Sequence, residues 1–244
     1  MKSSNPMLRD DVFAKAYALD ERPMTISGTM TKLMILSLIM MAGGGAVYYQ
    51  FSLQHFDFVN MIMTSSLVIS LIVAIVLAFK NEWAQFLAPI YAFFQGALLS
   101  GISCFFESYA PGIVMQAVAM TFFVVFAMAM LFKLGIIRAT EKFKSIIFVA
   151  TLAVFLFYLV AIILSLFNVA VPYFSSVSMV SIVVNVVFAI IAALNLIIDF
   201  DYIEKGASTP LPSLYEWYGA FGLLVTILWL YLEILRLLMR TRDR

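Results

Sequence analysis

The sequence has few of the charged residues that soluble proteins carry on their surfaces. Only 12% of its 244 residues are charged, 64% are hydrophobic, and the formal net charge is +1. Soluble domains carry about 25% charged residues, so the composition argues against a soluble fold and indicates a polytopic membrane protein. A net charge near zero gives no electrostatic support for binding to nucleic acid. The lipid bilayer is therefore the first predicted partner.

Residues that bind metals or act as nucleophiles are also scarce. The single cysteine, Cys104, lies in an apolar run and excludes both an internal disulfide and a multi-cysteine metal site. The single histidine, His55, has no second metal ligand near it in the sequence. The motifs of serine hydrolases, zinc proteases and phosphate-binding glycine loops are absent. We therefore predict no cofactor, no metal site and no enzymatic activity.

The first and last segments of the chain are polar. Residues 1–31 mix charges of both signs and lack the apolar core of a signal peptide. They predict a polar cytoplasmic N-terminal tail, with a short helix around Asp11–Ala18. Residues 32–239 form the predicted transmembrane domain, and residues 240–244 form a short basic tail.

A run of 54 residues, 145–198, contains no Asp, Glu, Lys or Arg. As one helix it would be roughly 81 Å long, whereas the apolar core of a bilayer is about 30 Å thick. The run must therefore fold back once, and residues 168–176, with Pro172, are the predicted turn. This division predicts seven membrane spans in all, at about Lys32–Tyr49, Val59–Phe79, Phe86–Phe106, Gly112–Leu134, Ile146–Phe167, Val177–Asp199 and Trp217–Leu238.

Basic residues predict the orientation of these spans. With the N-terminus inside, the inside segments hold 11 Lys and Arg residues, and the first three outside loops hold none. Membrane proteins in general have more basic residues in their cytoplasmic loops. Seven crossings place the C-terminus outside, although it carries four arginines from Arg236 to Arg244. The alternative is that the segment 177–238 does not cross the membrane twice.

Polar residues of the last two spans recur at steps of three and four, which places them on one face of each helix. Such faces turn toward protein or water in a membrane. One interpretation is that the two helices pack through small and polar residues, with Glu233 and Arg236 as an ion pair. The other, compatible with it, is a polar pathway. The two faces contain Ser181, Asn185, Phe188, Ala192, Asn195 and Asp199 in the sixth span, and Gly219, Gly222, Thr226, Trp229, Glu233, Arg236 and Arg240 in the seventh.

Carboxylates near the span ends have separate predicted roles. Asp199 ends the sixth span on its polar face, and Asp201 points to nearly the opposite side. Lys205, one turn after Asp201, predicts an ion pair at the interface. Asp199 is a candidate pH switch because desolvation and nearby charge both alter the protonation of a carboxylate. Glu107, which closes the third span, is predicted to be solvated in a turn, or alternatively to attract cations at a channel mouth.

From about residue 30 to 240, the sequence resembles the Bax inhibitor-like family, also called the transmembrane Bax inhibitor motif family, in its bacterial branch. The third span contributes Tyr91-Ala-x-x-x-Gly96 and Gly101-Ile-Ser. The sixth contributes Asn195-Leu-Ile-Ile-Asp-Phe-Asp-Tyr-Ile203. The seventh begins with Glu216-Trp-Tyr-Gly and ends with Leu-Tyr-Leu-Glu-Ile-Leu-Arg-Leu-Leu at residues 230–238.

The resemblance implies an all-α bundle of seven helices in the bacterial inner membrane, in which the other helices surround the last one. Some family members are described as pH-sensitive calcium leak channels, in which an aspartate of the sixth helix pairs with one of the seventh. Some bacterial members associate with membrane proteases. Asp199 matches the first aspartate. The second is matched by Glu233 or, if the following arginine sets the alignment, by Thr226.

Distance along the helix argues against a direct pair between Asp199 and Glu233. Glu233 lies 16 residues after Trp217, roughly 24 Å along the seventh helix, whereas Asp199 lies near the inner end of the sixth. A carboxylate side chain does not bridge such a difference in height. Groups expected nearer to Asp199 are Glu216, Tyr218, Lys80, Lys133 and Arg138.

Two functional hypotheses follow. The first is a pH-sensitive leak for calcium or another cation, in ion homeostasis or stress protection. The second is a non-conducting regulatory partner of a membrane protease or another membrane complex, to which it presents its small-residue helix faces and its polar tail. A secondary transporter is a weaker third option, because the sequence shows neither an internal repeat nor paired broken helices. The candidate residues for pH sensing or an ion pathway are Asp199, Asp201, Glu233, Thr226, Arg236, Asn195 and Glu107.

Overall fold

The fold is all helical in the part of the chain that the computed structural model describes, which is residues 22–167, 178–209 and 211–242. Seven of its helices are long and apolar enough to cross a membrane, which confirms the predicted fold class. A short 3-10 helix, Asn81–Trp83, precedes the third. The predicted helix at 11–18 and the predicted turn at 168–176 lie outside the described residues. The helices are α1 Ile26–Ser52, α2 Phe56–Phe79, α3 Ala84–Tyr109, α4 Ile113–Lys133, α5 Glu141–Leu166, α6 Met179–Ser208 and α7 Tyr215–Arg242.

Several helices extend beyond the predicted spans. Helix α1 begins at Ile26 rather than Lys32, because the Thr25 side chain caps it by accepting a hydrogen bond from the amide of Gly28. The prediction that Asp199 ends the sixth helix is wrong, since α6 continues to Ser208. In its last turns Asp201 and Lys205 form an ion pair one turn apart, which favours the helix there. Helix α7 likewise includes residues 240–242, which the sequence assigned to a separate tail.

The chain divides into two compact units, each built from segments that are distant in sequence. Unit 1 comprises the described parts of residues 1–104 and 201–224, and unit 2 those of residues 105–200 and 225–244. Helices α3, α6 and α7 therefore contribute to both units. This division was not predicted, because all three boundaries, after residues 104, 200 and 224, fall inside a helix and no turn marks them.

Two glycines allow α1 and α3 to approach closely in unit 1. A Cβ atom on Gly43 would lie 2.1 Å from the carbonyl oxygen of Phe93, and one on Gly96 would lie 2.0 Å from that of Met40. Both distances are far below van der Waals contact, so any side chain at either position must push backbone away from backbone. Small residues commonly form such interfaces in membranes. The close approach of the two helices thus explains why both positions hold glycine.

The Glu216 side chain, at the start of α7, bonds to the start of α1 in unit 1. The segment 22–25 forms an isolated antiparallel bridge with the segment 211–216. The buried Glu216 carboxylate accepts hydrogen bonds of 2.9 Å from both the amide and the hydroxyl of Thr25. It also lies 3.4 Å from the Lys32 ammonium. A carboxylate is favourable here because the first turn of a helix presents unpaired amides and a partial positive charge.

Helix α7 is the most buried of the membrane helices. In its most apolar stretch 56% of the residues are buried, against 17–39% in the other six helices. Leu223, Leu224, Leu230 and Leu235 are buried, and so are the polar residues Glu216, Thr226 and Glu233. Polar side chains of a membrane helix turn toward protein or water, so burial on the polar and the apolar positions alike indicates that protein covers much of this helix. The interior position that the family resemblance implies for the last helix agrees with this burial.

Candidate functional site

Six of the seven candidate residues lie in unit 2 and one, Asp201, lies in unit 1. Asp201 behaves as predicted, since its carboxylate lies 2.8 Å from the Lys205 ammonium one helical turn later. It therefore belongs to an ion pair away from the polar face of α6. The remaining candidates form two polar groups at different heights of α5, α6 and α7, with Glu107 apart from both.

The first group surrounds Glu233, a carboxylate with no exposed surface. Its Oε1 accepts hydrogen bonds from the hydroxyl of Tyr158 at 2.8 Å and the indole nitrogen of Trp229 at 2.9 Å. Its Oε2 accepts one from the amide nitrogen of Asn185 at 2.7 Å. The Arg236 guanidinium lies 3.2 Å from Oε1, which confirms the ion pair predicted from the spacing. Donors from α5, α6 and α7 therefore occupy both carboxylate oxygens.

Tyr158 links Arg236 to Glu233 and was not predicted as a site residue. The guanidinium donates to the Tyr158 hydroxyl, and its carbon lies 5.1 Å from the centre of the tyrosine ring. The hydroxyl thus accepts from a cation and donates to an anion. No periodic pattern of polar residues singles out Tyr158, because its hydroxyl is a single polar group among the apolar side chains of that part of α5. Only the pairing of α5 with α7 identifies it.

The second group contains Asp199 and Asn195. The hydroxyl of Thr226 donates a hydrogen bond to the Asp199 carboxylate. Within the described residues, the buried Oδ2 of Asp199 has no hydrogen-bond partner. Asn195 donates from its amide to the Thr151 hydroxyl at 2.8 Å and to the Ile191 carbonyl at 2.9 Å.

Thr226 is therefore the α7 residue that contacts Asp199, and it is one of the two positions that the sequence offered for this role. The other, Glu233, contacts Tyr158, Asn185 and Arg236 instead. Seven residues separate Thr226 from Glu233, roughly 10 Å along a helix. The expected absence of a direct pair between Asp199 and Glu233 follows from this difference in height.

Glu107 caps a helix. The amides of Gly112 and Val114, at the start of α4, donate to its two carboxylate oxygens at 2.6 and 3.1 Å. Glu107 itself lies within α3, which continues to Tyr109, so the predicted placement in a turn is wrong. A carboxylate at a helix N-terminus is stabilised by the unpaired amides and the helix dipole. Because both oxygens are engaged, the structure favours capping over the alternative role of attracting cations.

A cation would find few charged ligands here. Over the described ranges, no three His, Cys, Asp or Glu side chains converge. Calcium prefers six to eight oxygen ligands.

These features define the class of protein before any comparison: an integral membrane protein whose described ranges contain seven helices able to cross a bilayer, with ionisable side chains buried along the last two. The family model described as Bax inhibitor 1 like matches residues 5–243. The chain belongs to this family, which confirms the resemblance seen in the sequence. A comparison with curated proteins finds no match.

Proposed function

We propose that this protein is a cation leak, permeable to calcium, in which Asp199 is the carboxylate that attracts the ion. The observation that carries the proposal is the buried Oδ2 of Asp199, which has no hydrogen-bond partner within the described residues. An unsatisfied buried acceptor costs about 1–3 kcal/mol, so such a group calls for a proton, a water molecule or a cation. Carboxylate oxygens are also the ligands that calcium prefers.

The other two candidate carboxylates of unit 2 do not share this property. Glu233 has four donors on its two oxygens, and Glu107 has a backbone amide on each of its own. Both would have to give up existing hydrogen bonds to hold an ion. Asp199 would lose no hydrogen bond at Oδ2, so we assign the attraction of the cation to this carboxylate.

The family also supports this proposal, because some members are described as pH-sensitive calcium leaks. Asp199 supplies a physical basis for sensitivity to pH, since only the ionised carboxylate attracts a cation strongly. The distribution of basic residues supports an inner-membrane orientation with the N-terminus in the cytoplasm. A leak of this kind would serve ion homeostasis or protection against stress.

We expect Asp199→Asn to lower calcium entry into liposomes that contain the purified protein by about tenfold. The substitution replaces the carboxylate with a neutral amide of nearly the same shape, so the attraction for the cation is lost. Asparagine does not titrate, so any change in the flux between about pH 6 and about pH 8 should disappear in the variant. The matched control is Glu204→Gln, an exposed carboxylate on the same helix. Flux equal to that of empty vesicles, or unchanged in Asp199→Asn, refutes the proposal.

The alternative is a non-conducting regulator of a membrane protease or another membrane complex. The anchoring of the segment 22–25 favours it, because the residues before this segment would start from a defined place beside residues 211–216. In this alternative, the predicted polar tail is the element that binds the partner.

For this alternative, we expect the full chain to retain a candidate membrane protease in a detergent pull-down and a variant lacking residues 1–21 to lose it. The cut leaves Thr25 and its bonds to Glu216 intact, so α1 should still form. A second variant, in which a Gly and Ser sequence of equal length replaces residues 1–21, controls for tail length. Equal retention by all three proteins would rule out the tail as the binding element.

A further inference from the structure

An apolar layer separates the two polar groups of unit 2. Along α5 the order is Thr151, Val154, Tyr158, and along α7 it is Thr226, Trp229, Glu233. On α6, which runs between the same groups, Phe188 stands between Asn195 and Asn185. In all three helices an apolar side chain thus lies between two polar ones. Hydrogen bonds join polar residues of like height, as between Asn195 and Thr151 or between Asn185 and Glu233.

The apolar residues of this order contact one another and form one cluster. Val154 is 3% exposed and Phe188 is 8% exposed, and Trp229 packs against them. The Phe188 ring meets the Phe157 ring edge to face at 5.3 Å and the Tyr158 ring at 5.6 Å. We call this cluster, defined by Val154, Phe157, Phe188 and Trp229, the dry layer.

The thickness of the dry layer follows from helix geometry. Seven residues separate the polar positions on α5 and on α7, and ten separate them on α6, so the two polar groups lie roughly 10–15 Å apart along the helices. Hydrophobic constrictions of this kind stop ions because water leaves them. An ion that loses its hydration shell among phenyl and indole rings gains no oxygen ligand in return.

The Trp229 side chain marks one edge of the dry layer. Its indole nitrogen donates to Glu233, while its ring belongs to the apolar cluster. The network of Glu233 therefore holds one wall of the dry layer in place.

We propose that the dry layer is the gate of the ion pathway, closed in this structure and opened when Phe188 leaves its contacts with Val154 and Phe157. This inference rests on the proposed cation leak, and it adds the element that limits the flux. Asp199 attracts ions on one side of the gate, and the gate decides whether they pass.

Two variants test the gate in liposomes that contain the full-length protein. Val154→Thr keeps the shape of the side chain but replaces one methyl group with a hydroxyl that can hold water, and Phe188→Ala removes the ring. We expect each variant to raise calcium entry about tenfold over the unchanged protein, because each lowers the free-energy barrier that an ion meets in the dry layer. The matched controls are the same changes at lipid-facing positions of α5, Val149→Thr and Phe155→Ala, where the side chains are 61% and 60% exposed. Entry in the controls should not change.

Thiol accessibility tests the same layer without any flux measurement. In a Cys104→Ser background, Ser181→Cys and Asn195→Cys lie on opposite sides of Phe188 along α6. An impermeant thiol reagent should label the first from one side of the vesicle and the second only from the other side. Adding Phe188→Ala should allow each cysteine to be labelled from both sides.

The outcomes separate the gate from the leak. If the unchanged protein leaks and Asp199→Asn abolishes the leak, but neither Val154→Thr nor Phe188→Ala raises it, the gate is refuted and the leak stands. If nothing conducts, the leak is refuted, and the labelling pattern decides about the layer. Labelling of both cysteines from the same side of the vesicle refutes the dry layer as a barrier, and labelling of neither refutes an ion pathway that reaches it from either side.

Discussion

Arg236→Met is expected to lower the melting temperature of the protein in detergent by about 10 °C, the largest effect of any single change considered. The guanidinium faces Glu233, which has no exposed surface, and it also donates to Tyr158. Methionine keeps most of the volume of the arginine stem but leaves a buried carboxylate without its cation. Breaking one partner of a buried pair typically costs about 3–5 kcal/mol.

A double substitution separates this cause from a general loss of packing. Glu233→Gln combined with Arg236→Met removes both charges, so the melting temperature should lie above that of Arg236→Met alone. The matched control is Lys144→Met, which breaks an ion pair of the same i,i+3 spacing with Glu141, a side chain that is 89% exposed. Exposed pairs contribute about 0–1 kcal/mol, so this control should shift the melting temperature little. Equal shifts in Arg236→Met and Lys144→Met would show that the Glu233 network does not hold the three helices together.

The second large effect is expected at Gly96, where alanine should lower the stability of the protein by about 3 kcal/mol. A methyl group there meets the Met40 carbonyl at 2.0 Å, and a backbone atom cannot turn aside as a side chain can. Helices α1 and α3 must therefore separate, and the close contact around Gly43 is lost with it. Unfolding in detergent, followed by tryptophan fluorescence, measures the change.

Gly45→Ala is the matched control for this prediction. Gly45 lies on the same helix as Gly43, and a Cβ atom built on it meets nothing within 4 Å. Alanine is favoured over glycine in a helix by about 1 kcal/mol, so this variant should be as stable as the unchanged protein or slightly more so. A loss at Gly45 equal to the loss at Gly96 would mean that helix contact is not the cause.

Much of the fold follows from the sequence, because a bilayer sets the length and the hydropathy that each segment crossing it must have. Apolar runs of sufficient length must be helices that cross the membrane, and the uncharged run at 145–198 is too long for one crossing. The spacing of Asp201 and Lys205, and of Glu233 and Arg236, predicts contacts within one helix, and both pairs form. Contacts of this kind depend only on helix geometry.

Helix ends were less predictable, because capping interactions compete with hydropathy. Thr25 begins α1 earlier than the apolar run does, and Glu107 caps α4 across the turn from α3. Charged residues after Asp199 remain helical although their hydropathy suggests an end. In each case a hydrogen bond or an ion pair stabilises the helix at that point. A hydropathy average over a window of residues does not detect such interactions.

The amino-acid sequence alone predicts seven membrane-spanning helices with polar residues along the last two, since the period of a helix and the thickness of a bilayer require it. The partners of those residues are visible only in the folded structure: Thr226 for Asp199, and Tyr158 with Asn185 for Glu233. The reason is that hydrogen bonds between helices depend on their relative heights and rotations. Those are set by the packing of side chains far apart in the chain, and no local pattern of residues encodes them.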